Sequence, residues 1–104
     1  MRVMALDLGS KRIGVAVSDA LGTLASPRTV VVRSGDVARD HRAIAKLVAV
    51  EEARLVLVGL PLSLDGSDGP AAVAARAEAA TLASLLDVPV VLHDERLTLS
   101  LIHI

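Results

Sequence analysis

Residues 3–8, Val-Met-Ala-Leu-Asp-Leu, constrain the fold more than any other stretch of this chain. The run is too uniformly apolar for a strand with one wet face, and it is typical of a central strand covered on both sides. Asp7 nevertheless lies inside it. A buried carboxylate is costly unless it is paired or bound to a metal. The run therefore predicts a central strand and a special role for Asp7.

A polar turn follows this strand and leads into a second one. Residues 9–12, Gly-Ser-Lys-Arg, separate the first run from residues 13–18, which resume an extended apolar pattern. This arrangement indicates a hairpin and places Asp7 near the end of its first strand. The same position leaves a structural alternative open, in which Asp7 caps the turn or pairs with Lys11 or Arg12.

Five further elements follow from the hydrophobic pattern and from turn and cap residues. They are a strand within residues 27–33 centred on 29–32, a helix from 37 to about 52, a strand at 55–58, a helix from 70 to about 86 and a strand at 90–92. Asp36 suits the N-cap of the first helix, and Pro70 suits the first turn of the second. Helical crossovers between the later strands favour parallel pairing. The sequence predicts an α/β fold with a mixed sheet.

Composition limits the class of protein. The 104 residues are 53% hydrophobic with a mean hydropathy of +0.59, which indicates one packed domain. No apolar run approaches the roughly 18 residues of a membrane span, and the N-terminus lacks the pattern of a secretion signal. We therefore expect a soluble, cytoplasmic protein without a membrane partner. The absence of cysteine excludes disulfides and thiolate metal sites.

The chain contains no Phe, Tyr or Trp. It therefore lacks the aromatic platforms on which many single-strand binders stack bases, and any nucleic-acid contact is expected to use phosphates. Charge is unevenly distributed: residues 1–46 hold eight basic and four acidic side chains, whereas residues 47–104 hold three and eight. This asymmetry permits a basic surface beside an acidic site.

Acidic residues fall where several strands end. In open α/β sheets, ligands gather beyond the carboxyl ends of parallel strands. Asp7 lies near the end of the first strand, a loop at residues 59–61 follows the fourth, and Asp94 and Glu95 follow the fifth. Convergent carboxylates form a hard oxygen site that suits Mg²⁺ or Mn²⁺. The pattern predicts metal-dependent phosphodiester hydrolysis, with Asp7 as a metal ligand.

Three stretches, "LDLGSKRIGVAVSD", "VGLPLSLDGSDGP" and "VVLHDERLT", together resemble the YqgF family, also called RuvX. The resemblance covers nearly all of residues 1–98. It implies a ribonuclease-H-like fold with a five-stranded sheet, and a bacterial pre-16S rRNA nuclease that matures the 5′ end of small-subunit ribosomal RNA. Asp7 matches the first-strand acid of the family. Glu95, with Asp94 beside it, matches the acid motif after the fifth strand, so Asp7, Asp94 and Glu95 are the catalytic candidates, and Asp7 and Glu95 the metal ligands.

The chain departs from the family pattern in two places. His93 stands where members commonly have an aromatic residue. The family continues into a further helix with another active-site Asp, whereas residues 99–104 do not resemble that continuation. The codons CTG TCT CTT ATA CAC ATC, a transposon end used in sequencing libraries, encode these six residues. We therefore expect residues 1–98 to be an incomplete nuclease domain and residues 99–104 to be non-native, and we expect this fragment to be inactive.

Several side chains have both a functional and a structural interpretation. Lys11, Arg12 and Arg96 are candidates for binding substrate phosphates, or they neutralise the nearby acids. His93 is a metal ligand or, as we favour, a hydrogen-bonded residue at a strand end. A substrate rim or simple turn geometry would explain four further residues: Gly59, Pro61, Asp65 and Gly66.

Other functions remain open at this point. One is a Holliday-junction-resolvase-like nuclease that acts on branched DNA, and another is a non-catalytic module that binds nucleic acid or the ribosome. The Asp-Leu-Gly turn and hairpin also occur in actin-like ATPases, which normally need a second copy of the fold to close their cleft. Metal-dependent cleavage distinguishes a nuclease from the other two classes, and tight ATP binding favours the ATPase.

Overall fold

The computed structural model describes residues 1–19 and 29–94. These ranges contain strands and helices in the predicted order. Their bounds are β1 Arg2–Leu8, β2 Arg12–Ser18, β3 Thr29–Val32, α1 Val37–Glu51, β4 Ala53–Leu60, α2 Pro70–Leu85 and β5 Val90–Asp94. As predicted, Asp36 caps α1 by accepting a hydrogen bond from the Arg39 amide, and Pro70 occupies the first turn of α2. Among the described residues, no helix is long and apolar enough to cross a membrane.

The strands form one five-stranded sheet in the order β3-β2-β1-β4-β5. β1 pairs antiparallel with β2 and parallel with β4, β2 pairs antiparallel with β3, and β5 pairs parallel with β4. The predicted mixed α/β sheet is confirmed. β1, β3, β4 and β5 run in one direction, so their carboxyl ends lie at the same edge, which we call the site edge.

Both described helices pack against one face of the sheet. The core on this face consists mainly of Met4, Leu6, Ile13, Val15, Val17, Ile44, Val48, Val56, Val58, Ala79 and Leu82. The connections from β3 to β4 and from β4 to β5 move across the sheet in the same direction. Because such crossovers are right-handed, both helices fall on the same side. We call this side the helix face.

The opposite face, which we call the open face, has no described helix on it. Its residues alternate with the core positions: Ala5 and Leu57 are only partly buried there, Asp7 is exposed, and Val91 is 45% exposed. The expectation that β1 is covered on both sides is therefore wrong for the structure described by residues 1–19 and 29–94. The apolar residues of β1 reflect its central place in the sheet, whereas its outer positions remain accessible.

The end of the sheet differs locally from the prediction. Gly59 and Leu60 belong to β4 rather than to a loop, and β5 continues through His93 and Asp94. The reason is long-range pairing: Gly59 pairs with His93, and Leu60 pairs with Asp94. Parallel pairing of the two strands therefore overrides the local turn propensity of Gly59.

A largely buried polar cluster joins the helices to the end of β3. Arg33 follows β3 and donates to both carboxylate oxygens of Glu78 on α2, at 2.9 and 2.8 Å. Nε2 of His41 on α1 lies 2.7 Å from the same carboxylate, and the His41 side chain is 3% exposed. The hydrogen bond from Arg33 is the main cause that lowers the pKa of Glu78, and His41 adds to it.

A second buried acid fixes the start of α1. The Asp40 carboxylate accepts hydrogen bonds from the Ser34 hydroxyl at 2.7 Å and from the Ser34 amide at 3.0 Å. The hydroxyl bond is the main reason why the pKa of Asp40 lies below its usual value. Ser34 and Asp40 therefore tie the segment after β3 to the first turns of α1.

Glu78→Gln should destabilise the protein at neutral pH by about 1.5–3 kcal/mol, the scale of a hydrogen bond to a charged group. Glu78 has a lowered pKa in the folded state. Its ionised form therefore contributes stability above the pKa of the unfolded chain, and this contribution is lost as pH falls through the lowered folded value. Urea unfolding across the acid range should show a shallower loss of stability in the variant than in the parent chain.

Glu51→Gln is the matched control, because Glu51 forms an exposed ion pair with Arg2 at 3.1 Å. Exposed pairs contribute about 0–1 kcal/mol. Equal destabilisation by Glu78→Gln and Glu51→Gln would contradict the importance assigned to the buried cluster.

Candidate metal and nucleic-acid site

Among the predicted site acids that the structure describes, Asp7 has the most accessible position. It is the penultimate residue of β1 and stands directly opposite Gly14 on β2. Its side chain is exposed on the open face, so the expectation of a buried charge is wrong. Within the described residues, the carboxylate forms no ion pair with Lys11 or Arg12. No contact therefore supports the alternative in which Asp7 pairs with Lys11 or Arg12.

Two glycines shape the space around Asp7. A Cβ atom at Gly14 would lie 3.5 Å from the Cβ of Asp7, an ordinary contact distance. A larger side chain there would cover the carboxylate. A Cβ atom at Gly9 would lie only 2.6 Å from the backbone oxygen of Arg12. Gly9 therefore permits the tight turn, and Gly14 keeps one flank of Asp7 accessible.

Sheet register brings His93 to the same face as Asp7. Leu6 pairs with Val58, and the next residue of β4, Gly59, pairs with His93. Asp7, Gly59 and His93 therefore lie side by side across the open face. Two strand spacings separate the backbones of Asp7 and His93, which is about 10 Å. His93 has an interaction partner. Its two alternative roles, as a hydrogen-bonded residue at a strand end or as a metal ligand, both stay predictions.

Register places Asp94 on the other side of the sheet. Asp94 pairs with Leu60, whose side chain is buried in the core on the helix face. Because successive strand residues point to opposite faces, Asp94 is poorly placed to share an ion with Asp7. Its catalytic role remains a prediction. The other two predicted residues of this motif, Glu95 and Arg96, lie outside the described residues.

The described residues fit part of a divalent-metal site. Asp7 offers an accessible carboxylate, the donor type that Mg²⁺ and Mn²⁺ prefer. Among residues 1–19 and 29–94, no cluster of three or more Asp, Glu or His side chains could hold a metal ion. Asp7 therefore stays a predicted metal ligand, with Glu95 as the predicted second ligand.

The predicted phosphate-binding residues Lys11 and Arg12 are both exposed at the site edge. Arg12 begins β2 and pairs with Val32. Because strand residues two apart lie on the same face, Arg12 lies on the open face, as Gly14 does. Arg12 lies two residues from Gly14, about 7 Å along the strand. Asp7 therefore has a cationic flank on the β2 side, and phosphate binding by Lys11 and Arg12 stays a prediction.

The loop before α2 has its own structural explanation. Asp65 Oδ1 accepts hydrogen bonds from the Ser67 amide at 2.9 Å and from its hydroxyl at 2.7 Å. Gly66 has a φ of 86°, which favours glycine. Turn geometry therefore explains these residues, while their role in a substrate rim, together with that of Pro61, stays a prediction.

Sequence reasoning did not find Arg33, His41 or Glu78. Helical spacing offered a partial signal, because His41 lies three residues before the core residue Ile44. Glu78 likewise precedes the buried Ala79 on α2. No local pattern indicates that Arg33 reaches Glu78, which is 45 residues away in sequence.

The sheet order, the crossover helices and the exposed acid on β1 define an α/β protein of the ribonuclease-H-like fold. The structure of Thermus thermophilus RuvC matches 90% of this chain and 64% of that chain, with a TM-score of 0.65 and 21% identity. RuvC in complex with a Holliday junction substrate gives a TM-score of 0.66 at 19% identity, with the same coverage. The predicted fold is confirmed.

The chain belongs to the RuvX family, described as Holliday junction resolvase, whose sequence profile matches residues 1–101. Curated relatives carry the name "Putative pre-16S rRNA nuclease". The Myxococcus xanthus relative is 51% identical over 98 residues, which make up 94% of this chain and 64% of the relative. The Anaeromyxobacter dehalogenans relative is 47% identical, and 71% of its length is covered. The family resemblance seen in the sequence is confirmed, and the chain spans just under two thirds of the Myxococcus protein.

Gly9→Ala should disrupt the turn beside Asp7. The added Cβ would meet the backbone oxygen of Arg12 at 2.6 Å, so the backbone has to shift. Overpacking of this kind costs about 1–3 kcal/mol, which urea unfolding would measure. Gly14→Ala is the matched control, because its Cβ would make an ordinary 3.5 Å contact. Greater destabilisation by Gly14→Ala than by Gly9→Ala would contradict this account of the turn.

Proposed function

We propose that this chain carries the metal-binding sheet of a nuclease that hydrolyses phosphodiester bonds in pre-16S rRNA, in the bacterial cytoplasm. The observation that carries the proposal is Asp7: an exposed carboxylate at the carboxyl end of the central strand, opposite Gly14. Because Asp7 forms no ion pair within the described structure, its carboxylate is available to bind a cation. Family membership and the name shared by the relatives support the choice of RNA as the substrate.

In the proposed mechanism, Asp7 and Glu95 hold Mg²⁺ or Mn²⁺ at the site edge. A divalent ion at this place would polarise the scissile phosphate and activate water. Lys11 and Arg12 bind flanking phosphates and orient the backbone, with Arg96 proposed to assist from beyond β5. Because the chain has no aromatic side chains, recognition depends on phosphate charge rather than on base stacking.

Branched DNA is the second candidate substrate. It is favoured by the likeness to RuvC, which has been solved in complex with a Holliday junction substrate. The fold alone does not separate nucleases from kinases, since a ROK hexokinase from Thermus thermophilus matches 90% of this chain with a TM-score of 0.59. RNA cleavage, junction cleavage and ATP binding therefore distinguish the proposal from its rivals. For the C-terminally extended chimera described below, metal-dependent nucleic-acid binding without cleavage would favour a non-catalytic module.

Asp7→Asn should weaken Mn²⁺ binding at least about tenfold, because a neutral amide replaces a charged ligand. Isothermal titration of Mn²⁺ into the parent chain and the variant measures this effect. Asp87→Asn is the control, since Asp87 is an exposed acid that follows α2 at the opposite edge. Equal Mn²⁺ affinity of the parent and Asp7→Asn would remove Asp7 from the site.

We further propose that the additional length of the relatives supplies another acid and that this 104-residue chain does not turn over nucleic acid on its own. Without a further carboxylate, a second metal is poorly held and the leaving oxygen is not stabilised. A chimera tests this: residues 99–104 are replaced by the C-terminal segment of the Myxococcus xanthus relative. Mn²⁺-dependent cleavage of a 5′-extended 16S rRNA precursor and of a four-way DNA junction is then measured.

The chimera should cleave the RNA precursor, and its Asp7→Asn form should not. Equal cleavage by the chimera and by the parent chain would show that the added segment is dispensable. Cleavage of the DNA junction without cleavage of the RNA precursor would show that branched DNA, and not pre-16S rRNA, is the substrate.

A further inference from the structure

Arg33 connects the buried cluster to the turn that follows Asp7. Its Nε–H donates to the Gly9 carbonyl oxygen at 2.7 Å, while its terminal nitrogens bind Glu78. Its backbone amide donates to the Lys11 carbonyl oxygen at 2.9 Å. Arg33 therefore holds the turn at two places, through its side chain and through its backbone. We call Arg33, Glu78 and His41 the brace.

The brace is shielded from solvent. The side chains of Arg33 and Glu78 are each 16% exposed, and that of His41 is 3% exposed. A bidentate, charge-assisted pair in such a place is geometrically specific and weakly screened by salt. The Arg33 guanidinium donates its hydrogen bonds to Glu78 and Gly9, which are both groups of the protein. Its charge is balanced by Glu78, so it adds little to the attraction of phosphates.

The position of the brace links it to the candidate site. Arg33 follows β3, whose carboxyl end lies at the same edge as that of β1. Gly9, its acceptor, lies two residues after Asp7, and the Gly9 amide itself donates to the Asp7 carbonyl oxygen at 3.1 Å. The same turn carries the exposed Lys11 and Arg12.

We propose that Arg33 is a positioning residue: anchored by Glu78 on α2, it fixes the turn at residues 9–12 so that Lys11 and Arg12 meet the substrate phosphates beside Asp7. This inference rests on the proposed nucleic-acid function. The role requires a planar guanidinium, because one group must serve both the Gly9 carbonyl and two carboxylate oxygens. A lysine ammonium lacks that forked geometry.

A charge-neutral double variant, Arg33→Gln with Glu78→Gln, removes the brace without changing net charge. The control is Arg2→Gln with Glu51→Gln, which removes an exposed arginine–glutamate pair at the other end of β1. Two quantities are measured: hydrogen exchange of the Gly9 amide, and the affinity for a fluorescein-labelled RNA duplex over a range of salt concentrations. Circular dichroism establishes that each variant is folded.

The brace variant should exchange its Gly9 amide about tenfold faster. The turn that holds this amide against the Asp7 carbonyl oxygen loses the hydrogen bond from a charged donor to the Gly9 carbonyl oxygen, and about tenfold is the scale expected for such a loss. It should also bind the RNA more weakly, with a smaller dependence on salt, because fewer phosphates are neutralised. The control should match the parent chain in both measurements. A merely structural role would lower thermal stability without changing the salt dependence.

Arg33→Lys keeps the charge and provides a second test if the double variant does not fold. It should also speed Gly9 exchange and reduce the salt dependence of RNA binding. RNA binding by either folded variant that equals that of the parent chain would overturn the positioning role and leave the proposed function standing. A parent chain that binds no RNA at any salt concentration would instead overturn the proposed function, and the positioning role with it, even if Gly9 exchange responds as expected.

Discussion

Pairing of β1 with a strand on each side determines where the candidate site lies. Antiparallel pairing with β2 sets Asp7 opposite Gly14, and parallel pairing with β4 aligns Leu6 with Val58. Because side chains alternate between faces, this register sends Met4 and Leu6 into the core and Asp7 to the open face. A slip of one residue would bury the carboxylate and expose the core, so the core and the site depend on the same pairing.

The position of the helices follows from the same arrangement. Right-handed crossovers from β3 to β4 and from β4 to β5 put α1 and α2 on the helix face. The open face consequently keeps an accessible acid at the carboxyl end of its central strand, with the cationic turn beside it. Arg33 then connects α2 to the turn after β1, because it binds Glu78 on α2 and the carbonyl oxygen of Gly9. The helices thus stabilise the sheet core and, in our proposal, also fix the phosphate-binding turn.

Much of the fold was predictable because it is encoded locally. Alternating apolar runs, the Asp36 cap and Pro70 gave the order of elements and most of their bounds. The family motifs led to the correct sheet, and they made Asp7 a candidate whose role stays a prediction. The length of β4 was underestimated, because Gly59 is a turn-former by itself and becomes a strand residue only when it pairs with His93.

The arrangement of the site was harder to predict. Which face a strand residue occupies depends on its neighbours, so the sequence did not show that Asp7 is exposed or that Asp94 falls in register with Leu60. The brace was missed for a related reason: Arg33 and Glu78 are brought together by tertiary packing and form no motif. Resemblance identified the acids by position, whereas the residues that hold the turn in place required the structure.

The central claim is that the open face at Asp7 binds a divalent metal ion. Its most direct test is Mn²⁺ titration into the ¹⁵N-labelled chain, with paramagnetic broadening of backbone amide signals followed by NMR. The account predicts that broadening begins at Asp7, Gly14 and His93, while amides at Glu52 and Asp87, at the opposite edge, remain sharp. Broadening that is centred on Glu52 and Asp87, or spread evenly over the exposed acids, would contradict it.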